Sequence, residues 1–287
     1  ILIKMVLKNF SKIPTIVIHR GNKPYLKYSL EISSKKNEIV LIGDSELSKY
    51  SKLNNKIHFL DIKKYESDES IVAYKKYFKN YSTNDAEFEW RCFERVFIIH
   101  KFMEEHKLSK IFHIDSDAVL LVDINSLNYE NQCGYLTPSI QDNFRMDSSI
   151  HFSLLDTNFC MQFQKLYEEI YVSENKFNLI KEKINFHKSQ DLKGGICDMT
   201  LYYLLKEKKY LEPQNFMKEV KDTNQEDYIF INNINLGEGF YGIDNFKMKG
   251  KYIKILKNSV EDKIQNKKIK IAGIHFQGVA KKQLNRF

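Results

Sequence analysis

The chain has 287 residues, 43% of them hydrophobic and 29% charged, with a formal net charge of +8. This composition describes a globular protein and excludes a disordered one, and no apolar run nears the roughly 20 residues a membrane-spanning helix needs. Of the 45 basic residues only five are Arg; Arg is the residue that makes bidentate contacts to phosphates and bases, so nucleic acid is not expected as a partner.

The start, Ile1–Phe10, is interrupted by Lys4 and Lys8, lacks a small-residue cleavage site, and does not read as a signal peptide. With no Met at position 1, the chain is expected to begin inside a longer one. The β-branched run Thr15–His19 predicts a strand that ends at Arg20 and Gly21. Pro24–Lys36 predicts a helix with Pro in its first turn. Strands are predicted at Glu38–Ile42, closed by Gly43 and Asp44, and at Ile57–Ile62. Asn84–Lys107 is the strongest helical pattern, its apolar stripe formed by Phe88, Cys92, Val96, Ile99 and Met103. Ile111–Leu121 predicts one strand with Asp115, Ser116 and Asp117 inside it. Further on, Gly134–Pro138, Ile150–Leu154, Tyr228–Asn232, Tyr252–Leu256 and Lys268–Phe276 predict strands. Asn158–Val172 and Ile196–Lys206 predict helices, and a short helix is expected at the end.

The alternation of strands and helices over the first 125 residues implies an α/β fold with a mostly parallel sheet between helices. Ligands of such sheets gather at the carboxyl ends of strands, which draws attention to His19–Gly21, Asp44 and Asp115–Asp117. With only 4 Pro and 11 Gly there is little linker punctuation, so a single large domain is expected. Four widely spaced cysteines, Cys92, Cys133, Cys160 and Cys197, match no zinc spacing and read as free thiols.

Two motifs carry chemistry. Asp115 and Asp117, at i and i+2 of a strand, would project to one side, and two such charges call for a compensating cation. Mg2+ or Mn2+ is the natural choice, since both favour carboxylate and phosphate oxygens. The tail, His275-Phe276-Gln277-Gly278-Val279-Ala280-Lys281, supplies an imidazole for the same ion, a Gly that permits close backbone approach and an ammonium for a phosphate. An isolated acidic pair or a lone surface His is common; the combination describes a diphosphate clamp.

On these residues, the Asp115-Ser116-Asp117 motif and the HFxGxxK tail, the chain resembles the metal-dependent glycosyltransferases of the GT-A fold. It is most similar to the glycogenin and galactosyltransferase-like enzymes of family 8 and their bacterial surface-polysaccharide relatives, over residues 13–283. The tail departs from the family's usual Lys-Pro-Trp continuation, reading Lys281-Lys282-Gln283.

The resemblance implies a Rossmann-like mixed sheet flanked by helices. It divides the domain into a nucleotide-binding half over 13–125, a sugar and acceptor half over 126–270 and a metal and diphosphate tail over 271–287. It implies transfer of a hexose from a UDP-sugar to an acceptor hydroxyl of a glycan, lipid-linked or protein acceptor, with retention of anomeric configuration. Asp115, Asp117 and His275 would hold the Mn2+ or Mg2+, with Asp115 shared with the ribose. His19, Gly21 and Asp44 would bind the nucleoside part of the donor, Ser116 would contact the donor from within the acidic motif, and Arg91, Arg95, Gly278 and Lys281 would meet its diphosphate or sugar. Asp198 would stand beside the donor sugar as an electrostatic stabiliser, with Arg91 assisting the leaving group. His151 and Ser153 would line the same cleft, and the Tyr228–Gly237 segment would reach the sugar or acceptor through Asn232, Asn233 and Asn235.

The expected setting is cytoplasmic, at the surface of a membrane that carries the acceptor. The competing readings are a nucleotidyltransferase on a similar sheet and a non-catalytic nucleotide- or carbohydrate-binding module.

Overall fold

The computed structural model describes residues 12–138, 144–231, 246–247, 259–262 and 268–286. The expected strand at Tyr252–Leu256 and the residues Asn232, Asn233 and Asn235 lie outside them.

The first half winds as the β-branched runs and amphipathic segments direct. β1 (Thr15–His19), α1 (Pro24–Ser33), β2 (Ile39–Gly43), a 3-10 helix (Ser45–Lys52) and β3 (Ile57–Asp61) are followed by the short α2 (Lys63–Glu66) and α3 (Glu69–Tyr77). The long α4 (Ala86–His106) then leads to β4 (Lys110–Ile114) and β5 (Ala118–Leu120). The second half contains β6 (Gly134–Leu136), β7 (Ser149–Asp156), α5 (Thr157–Tyr167), α6 (Asn178–Ser189) and α7 (Asp198–Glu207). β8 (Gln214–Asn215), β9 (Val220–Lys221), β10 (Asp227–Ile231), β11 (Phe246–Lys247), β12 (Ser259–Asp262) and β13 (Lys268–His275) come next, followed by a 3-10 helix (Gly278–Arg286).

The main sheet runs β3-β2-β1-β4-β7-β6-β8. Its first four strands are parallel, and β7 is antiparallel to both β4 and β6. The chain steps outward from β1 to β3 and returns to the other side of β1 as β4. A crevice therefore opens at the carboxyl ends of β1 and β4, the point where winding reverses. A second sheet, β11-β12-β13-β10-β9, is joined to β5 through β13. The expected Rossmann-like mixed sheet flanked by helices is present.

One expectation fails in an informative way. Ile111–Leu121 is not one strand: β4 stops at Ile114, the chain turns over Asp115–Asp117, and β5 leaves the main sheet to pair antiparallel with β13. The Ala118 N–H donates to the Asp115 carbonyl at 2.9 Å, which closes the turn. The apolar run is continuous because both pieces are buried, though in different sheets.

α4 is capped at both ends: the Asp85 carboxylate accepts from the Phe88 N–H at 3.0 Å, and Lys107 closes it in the left-handed region. Its buried surface differs from the expected stripe. Phe88 is exposed, while Trp90, Phe93, Phe97 and Phe102 are buried. The helix packs against α3, α5 and α7 as well as the sheet, so more of its circumference is covered than one stripe provides. On the other face of the main sheet, Phe112, Phe152, Phe216 and Phe230 form one cluster with Leu26 and Leu30 of α1, tying the two sheets into one core. The four cysteines are free, with Cys133 and Cys160 buried. No helix among the described residues is long and apolar enough to cross a membrane.

The sheets meet closely at Gly273, where a Cβ would lie 2.7 Å from the Phe152 ring and 2.9 Å from the Val119 carbonyl oxygen. Gly273→Ala should cost about 1–3 kcal/mol of stability by overpacking, measured by urea unfolding; an unchanged midpoint would mean that the sheets separate easily there.

Candidate functional site

The site is built on the turn after β4. The Asp115 N–H donates to the His151 carbonyl at 3.3 Å, and the Phe276 N–H donates to the Asp117 carbonyl at 2.9 Å. The turn is thus held between β7 and the end of β13. Because it is a turn and not a strand, the two carboxylates do not share one partner as the i, i+2 spacing implied.

Asp117 is buried and faces the tail: its Oδ1 lies 3.2 Å from His275 Nε2, and its Oδ2 accepts from Lys281 Nζ at 2.8 Å. Burial opposes ionisation, but His275 and Lys281 outweigh it and hold the carboxyl well below the usual range. Asp115 faces α4, where its Oδ1 accepts from Arg95 Nη1 at 2.7 Å. Burial again opposes its charge, and the guanidinium overcomes it. Ser116 sits half-buried between the two.

Arg95 carries a second carboxylate. Its Nη2 donates at 2.6 Å to Asp198 Oδ2, which also accepts from the Tyr202 hydroxyl at 2.9 Å. Asp198 Oδ1 accepts from the Met199 N–H at 2.9 Å, so the carboxylate is fixed from three sides at the first residue of α7. Burial works against the guanidinium charge, but Asp198 and Asp115 hold its pKa far above the ordinary value. The structure brings Arg95, not Arg91, to these carboxylates. Arg91 is exposed one turn earlier, its Nε 3.3 Å from Glu87 Oε1 of the same helix.

Two imidazoles complete the cluster. The His275 and His151 rings stack at 4.0 Å with 23° between their planes. One potential ligand atom from each of Asp115, His151 and His275 falls within a group no wider than 4.8 Å. His151 arrives from β7, whose antiparallel register sets Phe152 opposite Ile114. The His151-x-Ser153 pattern expected in the cleft therefore has its His in the cluster, whereas the Ser153 hydroxyl donates to the Ile150 carbonyl at 2.9 Å. What brings His151 beside the acidic turn is the strand register, which local sequence does not reveal.

The turn after β1 forms the neighbouring wall. The Gly21 N–H donates to Asp44 Oδ2 at 2.6 Å, and Gly21 itself adopts φ +71°. Arg20 is turned to other work: it pairs with Glu66 at 2.7 Å and with Glu94, tying the turn to α2 and α4. His19 meets the Tyr25 ring edge-on at 5.8 Å, and Lys281 Nζ lies 5.0 Å over the same ring. Tyr25 thereby links the β1 turn to the tail. Gly278 opens the final 3-10 helix at φ +58°.

By sequence, no family model and no characterised protein matches the chain. By structure it is similar to the PaToxG glycosyltransferase, at 13% identity and a TM-score of 0.40, over 68% of this chain and 70% of that one. It is also similar to the apo form of the glycosyltransferase GlyE of Streptococcus pneumoniae TIGR4, at 13% identity and a TM-score of 0.35, over 70% of this chain. The match covers 45% of that GlyE chain.

Two outcomes test this geometry. Arg95→Ala leaves Asp115 and Asp198 without their shared cation and should cost about 3 kcal/mol or more, whereas Arg91→Ala should cost under about 0.5 kcal/mol; equal effects in urea unfolding would contradict the bridge. Burial lowers the His19 imidazole from 6.5 to about 4. The unfolded chain thus takes up this proton first as pH falls. The contribution is complete above pH 6.5 and is lost as pH drops towards 4. Unfolding free energies measured with a chelator present should show a smaller decline over that window for His19→Asn than for the wild type.

Proposed function

We propose that the chain is a glycosyltransferase that uses a nucleoside diphosphate sugar, with UDP as the nucleotide, and a divalent cation. The observation that carries this reading is the convergence of Asp115, Asp117, His275 and Lys281 beside the crevice where the winding of the main sheet reverses. The donor set fits a cation. Around the turn, the three carboxylates of Asp115, Asp117 and Asp198 face the two permanent cations Arg95 and Lys281. The three carboxylates outnumber these two side-chain cations by one, and the His151 and His275 imidazoles border the same place as nitrogen donors.

In this reading Asp115, Asp117 and His275 hold Mn2+ or Mg2+. When bound, the ion would act as a Lewis acid on the leaving diphosphate. Lys281 supplies a second positive charge to the same oxygens, and the Gly278 turn lets the tail backbone come close to them. The β1 turn, with His19, Gly21 and Asp44, receives the nucleoside. Asp198 is the carboxylate to place beside the donor sugar, where its three donors fix its orientation and its charge opposes the positive charge that develops on the sugar ring. It acts there as a stabiliser, not as a nucleophile. Retention is proposed, with the departing phosphate oxygen taking the proton of the acceptor hydroxyl. The acceptor belongs to a glycan, a lipid-linked sugar or a protein at a membrane surface, as in polysaccharide assembly.

A nucleotidyltransferase would need a Gly-rich phosphate loop after β1, and Gly21 is the one glycine in that turn. A binding module would bind donor without cleaving it. Calorimetry with UDP, and GDP for comparison, should give Mn2+-dependent UDP binding that Asp117→Ala weakens tenfold or more. Absence of nucleotide binding with and without Mn2+ would overturn the transferase reading. UDP release from UDP-sugars separates an enzyme from a binding module.

A further inference from the structure

We infer that His151 is a ligand of the metal site, making it a two-imidazole centre that selects transition-metal ions over Mg2+. The inference deepens the proposed function and rests on it for the task the ion performs.

Three features argue for it. The ligand atoms of Asp115, His151 and His275 lie within 4.8 Å of one another, a spacing one ion can bridge. Asp117 adjoins this group, its Oδ1 lying 3.2 Å from His275 Nε2. The orientation of His151 is prepared: its Nδ1 is hydrogen-bonded to the Ser149 hydroxyl. A ring that donates from Nδ1 carries its lone pair on Nε2, the arrangement in which an outer hydrogen bond aims a metal-ligating histidine. Stacking against His275 and burial in β7 restrict the ring further.

The consequence is chemical selectivity. Mg2+ prefers oxygen ligands in a near-ideal octahedron and keeps its waters. Imidazole donors favour the later first-row ions, whose affinities rise from Mn2+ through Co2+. With two imidazoles the site should discriminate against Mg2+ more strongly than one carboxylate pair and a single His would. Ser149 is then a positioning residue for His151.

The test uses metal alone. Titrations of the wild-type chain with Co2+ and Mg2+, followed by calorimetry and by the visible absorption of Co2+, should show Co2+ bound at least tenfold more tightly. His151→Asn should lower Co2+ affinity about tenfold or more, change the Co2+ spectrum, and shift Mg2+ affinity by less than about twofold. An unchanged Co2+ affinity and spectrum, or equal losses for both ions, would overturn the inference. A measurement on the wild type guards against a variant that misfolds: in 15N imidazole spectra with and without Zn2+, two of the eight histidines should show a metal-shifted ring nitrogen. One shifted ring, or none, overturns the proposal. Binding of UDP without any metal binding would sink this inference and leave the nucleotide site standing. Two metal-shifted imidazoles without UDP binding would do the reverse.

Discussion

A single guanidinium holds the candidate site together. Arg95 leaves the middle of α4 and ends between two carboxylates, Asp115 on the turn after β4 and Asp198 at the start of α7. Without a cation between them these groups would repel across a poorly solvated gap, and buried carboxylates without partners are expensive. The position of Arg95 is itself set by packing. Trp90, Phe93 and Phe97 anchor α4 in an aromatic cluster with Phe163, Tyr167 and Tyr171. The core thus sets the helix, the helix sets the guanidinium, and the guanidinium sets two acidic groups that lie 83 positions apart in the chain.

The other half of the site depends on the tail. Asp117 is charged because His275 and Lys281 surround it, and both come from the last described strand and helix. β13 reaches the turn because it pairs with β5, the short strand that leaves the main sheet immediately after Asp117. The division of one apolar run between two sheets is therefore what joins the acidic motif to the histidine and lysine. Had β4 simply continued, Asp115 and Asp117 would have remained side by side on a pleat, away from β13.

Much of this was legible in the chain itself. The strands at the beginning, the long helix within Asn84–Lys107 and the free thiols all follow from local pattern. So did the value of Asp115, Asp117, His275 and Lys281 as a group, because their chemistry is complementary whatever path joins them. Other features were not legible. Phe88 fits a helical stripe yet faces solvent, since the neighbours that cover α4 come from remote segments. Arg91 and Arg95 are equivalent by spacing, and only packing turns one to the carboxylates while the other pairs with Glu87. Arg20 looked like part of a ligand-binding turn but is engaged by Glu66 and Glu94.

By itself, then, the sequence determined the alternation of elements and the inventory of charged and imidazole groups, because periodicity and side-chain chemistry are local properties. The tertiary structure alone decided which groups meet. The antiparallel register of β7 on β4 carries His151 to the acidic turn, and the crossing of β5 to β13 brings in His275 and Lys281. Register and crossing depend on contacts between distant segments, where a shift of one residue reverses every side chain, and no local pattern specifies them.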